Sequence, residues 1–117
     1  MKITRVYTDG EGESHFDDLV IGLRDAGPIG FLSEPFPAKE VLFRRNDAGY
    51  DYNWHPAPRR QFIILLDGAI ELQVSDGERR TFRGGEILLL EDINGRGHRT
   101  RNHEPRERHS VFIVLDE

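Results

Sequence analysis

The apolar positions of this chain recur mostly at every second residue, in short runs separated by turn residues. Residues 3–8 alternate, with Ile3, Arg5 and Tyr7 on one face and Thr4, Val6 and Thr8 on the other, which predicts a first strand. Asp9-Gly10-Glu11-Gly12-Glu13-Ser14 predicts a polar turn. Residues 16–23 read as extended, because Val20-Ile21 is β-branched and Gly22 follows. Residues 25–30 form a loop, and Glu34-Pro35-Phe36-Pro37 forbids a helix. Residues 39–45 predict a strand with Val41 and Phe43 on one face and Leu42 on the other. Residues 61–66 and 69–74 predict a hairpin across Asp67-Gly68. Further strands are predicted over 79–82, 86–90, 98–103 and 110–115, punctuated by Asp76-Gly77, Gly84-Gly85, a loop at 91–97 and a charged turn at 104–108. Turn signals about every eight to twelve residues, with no amphipathic helix, predict an all-β sandwich or barrel.

Period-two geometry places His55, Ala57, Arg59, Gln61, Ile63 and Leu65 on one nominal face, although Pro56 and Pro58 weaken the parity before Gln61. His98, Thr100 and Asn102 share a face of a later strand. If the strands fold back on one another, His55, Gln61 and His98 form a polar cluster over an apolar floor of Ile63 and Leu65. Two neutral imidazoles can ligate a divalent transition metal such as Fe, Mn, Ni or Zn, and the Gln61 carbonyl is a weak third ligand. Histidines that hydrogen-bond a ligand or the backbone are an equally good reading of the same residues.

These residues resemble the motifs of the cupins, small double-stranded β-helix (jelly-roll) proteins. Gly49, five residues, His55-Pro56-Ala57, three residues, Gln61, six residues and Gly68 follow the spacing of the first cupin motif. Gly85, His98 and Asn102 match both ends of the second, while the intervening loop is longer and lacks its proline. The resemblance covers residues 49–102 and implies one cupin domain over residues 1–117. It also implies a metal held by three His and one Glu. Here His55 and His98 occupy the first and last of those positions, Ala57 replaces the second His, and Gln61 replaces the Glu. The expected outcomes are a weakly held divalent metal at His55, Gln61 and His98, or a pocket kept without metal.

Composition narrows the chemistry. The chain of 117 residues has no cysteine, which excludes disulfides and thiolate chemistry. Its net charge of −5 argues against bulk nucleic-acid binding. Nothing approaches the ~20 apolar residues of a membrane span, and no apolar run follows Met1-Lys2-Ile3-Thr4-Arg5, so the expected location is the cytoplasm. Of the 16 basic residues only Lys2 and Lys39 are lysines. Arg59, Arg60, Arg96, Arg99 and Arg101 flank the two histidines, and a guanidinium beside a cavity favours carboxylate or phosphate. For any one of them, surface pairing with Asp or Glu is the plainer reading.

The expected function is therefore that of a small cupin acting on, or binding, a small anionic organic molecule. His55 and His98 are the candidate catalytic residues; Trp54, Arg59, Gln61, Arg96 and Asn102 are the candidate ligand contacts. The alternative is a metal-free, non-catalytic binder of a metabolite or sugar, which the Gln61 amide favours. Glu91 and Asp92 read as solvated loop acids, or else as a base or a late metal ligand at the barrel mouth. Tyr50, Tyr52 and Trp54 read as packing or as a pocket wall. Asn94-Gly95-Arg96-Gly97 reads as a plain turn before an anion cradle. His15, His103 and His109 lie outside both motifs. Phe62, Ile64 and Leu66 face away from the nominal pocket and need a cover from a second sheet or a second subunit, so a homodimer is expected.

Overall fold

The computed structural model describes residues 1–116. It contains twelve strands: β1 (Lys2–Thr8), β2 (Ser14–Val20), β3 (Arg24–Asp25), β4 (Phe31–Leu32), β5 (Ala38–Asn46), β6 (Asp51–His55), β7 (Gln61–Leu65), β8 (Ala69–Val74), β9 (Arg79–Arg83), β10 (Ile87–Leu90), β11 (His98–Asn102) and β12 (Arg108–Leu115). A 3-10 turn, Gly27–Ile29, joins β3 to β4. The alternation of apolar and polar residues accounts for the strands, because each side chain set of period two has one face to bury.

Two sheets enclose the core. The larger has the order β2-β1-β10-β7-β12-β5 and the smaller the order β6-β11-β8-β9. Val6, Phe16, Ile63, Leu65, Leu88 and Leu90 of the larger sheet meet Ile70, Leu72, Val74 and Phe82 of the smaller. Burying one such side chain stabilises by about 1.5–3 kcal/mol. This two-layer jelly roll is the predicted all-β architecture.

Most strands fall where they are predicted, but β3, β4 and β6 are additional, β2 runs Ser14–Val20 where residues 16–23 are expected, and one pairing is different. β7 and β8 follow each other across Asp67-Gly68 yet do not pair: β7 lies between β10 and β12, and β8 between β11 and β9. The turn therefore carries the chain from one sheet to the other. Gly68, at φ 67°, makes that crossing tight, since a Cβ there would fall 2.9 Å from the Arg108 Cβ. An Asp-Gly turn signal records the reversal of direction and not which strand becomes the neighbour.

The cover over the outer face also departs from expectation. Phe62, Ile3, Leu89 and Leu115 form a second buried cluster, with Leu19, Ile21, Ile87 and Ile113 against it. Phe36 meets Phe62 edge-on at 5.1 Å between ring centroids. Ile21 and Phe36, from the segment that connects β2 to β5 within the same chain, thus supply part of the cover. Leu66, Val41 and Phe43 remain exposed, Phe43 at 82%.

Candidate functional site

The site is built where β6 and β11 pair. His98 lies opposite His55, and the register slips between His98 and Thr100. The close crossing depends on Gly97. Its φ is 73°, and a Cβ added there would lie 2.2 Å from the His55 carbonyl oxygen. No other residue type fits without moving that backbone. The two imidazoles consequently stand 4.6 Å apart, inclined by 59°.

Each ring has one nitrogen committed. His55 Nδ1 donates to the Asn53 carbonyl at 2.7 Å, and Tyr52 stacks on the ring at 3.7 Å. His98 Nδ1 is 2.5 Å from Asp92 Oδ2, in a pair that is almost wholly buried. Among the described residues neither Nε2 has a hydrogen-bond partner. The two Nε2 lone pairs are thus free for a ligand. Burial lowers the pKa of His55, with a smaller push in the same direction from His98, against the hydrogen bond to Asn53. His55 is therefore neutral at pH 7.

Asp92 was read from the sequence as a solvated loop acid before a base; it is fully buried. Its carbonyl accepts from the Ala57 N–H at 2.9 Å, which ties the loop to the β6–β7 connection. Glu91, beside it, turns the other way and pairs with Arg5 and with Arg60, the latter at 2.5 Å. Burial works to raise the Glu91 carboxyl, but the hydrogen bonds from Arg60 and Arg5 outweigh it and hold the group below its ordinary value.

The imidazoles open into a cavity of about 220 Å3 between the sheets. Its walls include Tyr50, Tyr52, Ala57, Gln61, Ile63, Thr100 and Phe112, and Arg44 enters from β5. Ligand pockets for drug-sized molecules usually span ~300–1,000 Å3, so this one suits a small metabolite. The predicted set is only partly brought together. His55, Gln61 and His98 share the cavity, as do Tyr50 and Tyr52. Arg59 pairs with Glu40 outside it, because the bend after Pro58 breaks the parity. Arg96 is exposed and pairs with Glu13, while its backbone N–H donates to Gly12, so Asn94–Gly97 is a docked turn. Asn102 spends its amide on the carbonyls of Asp47, Ala48 and Arg106 and on Arg108 Nε. Trp54 is exposed and outside the lining.

Sequence reasoning missed Arg44 and Arg108. Arg44 donates from Nε to Ser110 Oγ at 3.1 Å and lies over the Phe112 ring at 4.3 Å. No carboxylate pairs with either arginine among the described residues, whereas Arg5, Arg59, Arg60, Arg96, Arg99 and Arg101 all have one. The signal was available in the alternation. Arg44 shares the parity of Leu42, and Arg108 that of Ser110 and Phe112, once β12 is extended two residues toward its start.

The donor set limits any metal. His55 and His98 offer two imidazole nitrogens and Gln61 an amide oxygen, all neutral, and the Asp92 carboxylate is turned to the back of His98. No three His, Cys, Asp or Glu side chains converge on one point among the described residues. Such a set suits a weakly held ion and is short of the usual three strong ligands.

No protein-family model matches the chain, and no curated protein matches it. Solved structures do. A cupin domain from Bordetella pertussis Tohama I aligns over 99% of this chain and 94% of its own, with 16% identity and a TM-score of 0.51. The Cnp3 cupin domain of Schizosaccharomyces pombe aligns over 98% and 84%, with 12% identity and a TM-score of 0.52. A Cupin 2 conserved barrel domain protein from Salinispora arenicola CNS-205 shares 24% identity over 65% of this chain, with a TM-score of 0.52; the alignment spans 61% of that protein. At these identities the likeness establishes the fold alone. Among the described residues no helix is long and apolar enough to cross a membrane.

Proposed function

We propose that this chain, which has the cupin fold, binds a small organic anion inside its barrel and moves a proton on it through His98. The observation that carries the reading is the buried Asp92–His98 pair at 2.5 Å, with the free Nε2 of His98 at the cavity. A ligand acid held against Nε2 gives its proton to the ring and takes it back on return. Asp92 fixes the ring orientation and compensates the positive charge of the imidazolium meanwhile. Neutral His55 presents a second lone pair 4.6 Å away, centroid to centroid, and Gln61 supplies an amide for a polar ligand group. Arg44, on the cavity wall, supplies a positive charge that favours an anionic ligand.

The test is wash-in of solvent deuterium into a panel of small carboxylic acids, followed by NMR. Exchange in the wild type that is lost in His98→Asn supports the reading. Binding without exchange turns the assignment to a non-catalytic metabolite or sugar binder. Exchange that survives in His98→Asn sinks the proposed role of His98.

A weakly held divalent ion at His55, Gln61 and His98 is the second reading, favoured by the two free Nε2 atoms. Elemental analysis of untagged protein, alone and after supply of Fe, Mn, Ni or Zn, tests it. Close to one equivalent that disappears in His55→Ala/His98→Ala supports it, and no uptake removes it. For assembly we propose a homodimer through the β5 edge, where Val41, Leu42 and Phe43 are exposed. Light scattering that gives a monomer mass at micromolar concentration contradicts this.

A further inference from the structure

We infer that Arg44, on the cavity wall, and Arg108, buried against the Tyr50 side of that wall, form a two-guanidinium subsite for a doubly charged oxyanion at the β5–β12 end of the barrel. The inference rests on reading the cavity as an anion site, and it names the class of anion: a small dicarboxylic acid or a phosphate-bearing one.

The strands fix the placement. In the β5–β12 pairing Arg44 is opposite Ser110 and Asn46 is opposite Arg108. Residues two apart share a face, so both arginines project to the same side as diagonal neighbours, a relation that spans about 7–8 Å. Tyr50, a cavity wall, lies near both: its ring centroid is 5.7 Å from the Arg44 Cζ and 5.1 Å from the Arg108 Cζ.

The two side chains are aligned from behind. Ser110 Oγ accepts from Arg44 Nε at 3.1 Å, and Asn102 Oδ1 accepts from Arg108 Nε at 2.7 Å. Arg108 is only 1% exposed, yet Nη1 and Nη2 are both buried without a partner. Burial, followed by repulsion from Arg44, depresses the Arg108 guanidinium to about 10, which leaves it protonated at neutral pH. Unpaired donors on a buried cation are among the costliest arrangements in a protein interior. The Asp67 carboxylate, the acid that acts on Arg108 from a distance, is already bound to His109. Asn46, opposite Arg108 in the β5–β12 pairing, likewise has its Oδ1 buried without a partner. Two positive charges without a carboxylate call for two negative charges, and the planar forks suit oxyanions.

The experiment titrates malonate, succinate and inorganic phosphate, with acetate as the singly charged control, into the whole protein. Binding is followed by calorimetry and by 15N NMR of the arginine side chains. The expected result is that a dianion binds more tightly than acetate and shifts the Arg108 Nη signals. Arg44→Met and Arg108→Met should each weaken that binding about ten- to a hundredfold. Arg96→Met removes the same charge from the surface and should leave it unchanged. Preference for the dicarboxylates or for phosphate identifies which source of charge the subsite takes. The NMR arm needs no variant, so a poorly folded Arg108→Met does not block the test. Nη signals that stay fixed under every dianion overturn the inference and leave Arg108 as a structural residue satisfied by water. Dianion binding through Arg108 without proton exchange in any acid would overturn the role of His98 and leave the subsite standing. Exchange at His98 with Arg108→Met binding like the wild type would do the reverse.

Discussion

His15 and His98 are both held by aspartates, and they are put to different use. His15 uses both ring nitrogens: Nε2 meets Asp9 Oδ2 at 2.7 Å and Nδ1 meets Asp76 Oδ2 at 2.8 Å. Its side chain is 28% exposed, and it clamps the β1–β2 turn to the β8–β9 turn beside the Ser14–Ser75 hydrogen bonds. His98 uses one nitrogen, on an aspartate that water does not reach, and leaves the other at a cavity. A ring with both nitrogens bound to carboxylates is a charged fastener. A ring with one bound and one free is a poised acceptor. The neighbouring Asp is common to both, so the free nitrogen and the burial carry the distinction.

The sharpest way to break this contrast is at the glycine beside each cluster. Gly97→Ala places a Cβ at 2.2 Å from the His55 carbonyl oxygen at a φ of 73°, so overlap adds to the conformational cost. The expected loss is about 3 kcal/mol or more, with the β6–β11 crossing distorted. Gly77→Ala, at φ 100°, meets nothing within 4 Å and carries the conformational cost alone, about 1–2 kcal/mol. Denaturant unfolding of both variants measures the difference. Equal losses would mean that the close approach at Gly97 has slack.

Next in size is the pair of aspartates. Asp92→Asn keeps the volume but removes the charge from a fully buried pair, at a cost of about 1–3 kcal/mol. It also lets the His98 ring turn and exchange tautomers, so proton exchange should fall by about 10²–10⁴-fold, the usual worth of a positioned acid–base group. Asp9→Asn, on the exposed clamp, should leave exchange unchanged and shift stability only slightly. A comparable loss of exchange in both variants would mean that the effect spreads through the fold and not through His98.

The sequence reading reached the architecture because period-two alternation and turn residues are local, and it reached His55, Gln61 and His98 because motif spacing is local too. It failed where the third dimension decides. Asp67-Gly68 announces a turn, but hydrogen bonding to β10 and β12 sends β7 to one sheet, and pairing with β9 and β11 sends β8 to the other. Arg59 stands on the correct parity, but the bend after Pro58 swings it out to Glu40. Asp92 lies in a stretch as polar as any surface loop. Its burial comes from the backbone bond to Ala57 and from packing behind His98, neither of which leaves a mark in composition. The arginines near the motif attracted attention for their proximity in sequence, whereas Arg44 and Arg108 reach the barrel from strands outside it.

The smallest effects belong to pH, and there the two kinds of histidine separate in sign. Hydrogen bonds to Asp9 and then Asp76 raise the pKa of His15 in the folded state. The stability it contributes is fully present below the ordinary imidazole value of about 6.5 and is lost as pH rises through the raised value. The hydrogen bond from His15, with those from the Glu11 and Glu13 amides, lowers Asp9, so the clamp also weakens as acid protonates that carboxylate. His55 behaves oppositely. Burial lowers its pKa, so the folded state binds fewer protons than the unfolded chain, and stability falls as pH drops through about 6.5. Thermal unfolding between about pH 5 and 8 should therefore show His15→Gln losing most against the wild type at the acid end of that range. His55→Gln should gain relative to the wild type at the same end. If the two difference curves run in the same direction, the contrast between a charged clamp and a neutral cavity imidazole is wrong at one of the two sites, and the 1H shifts of the two rings across the titration identify which.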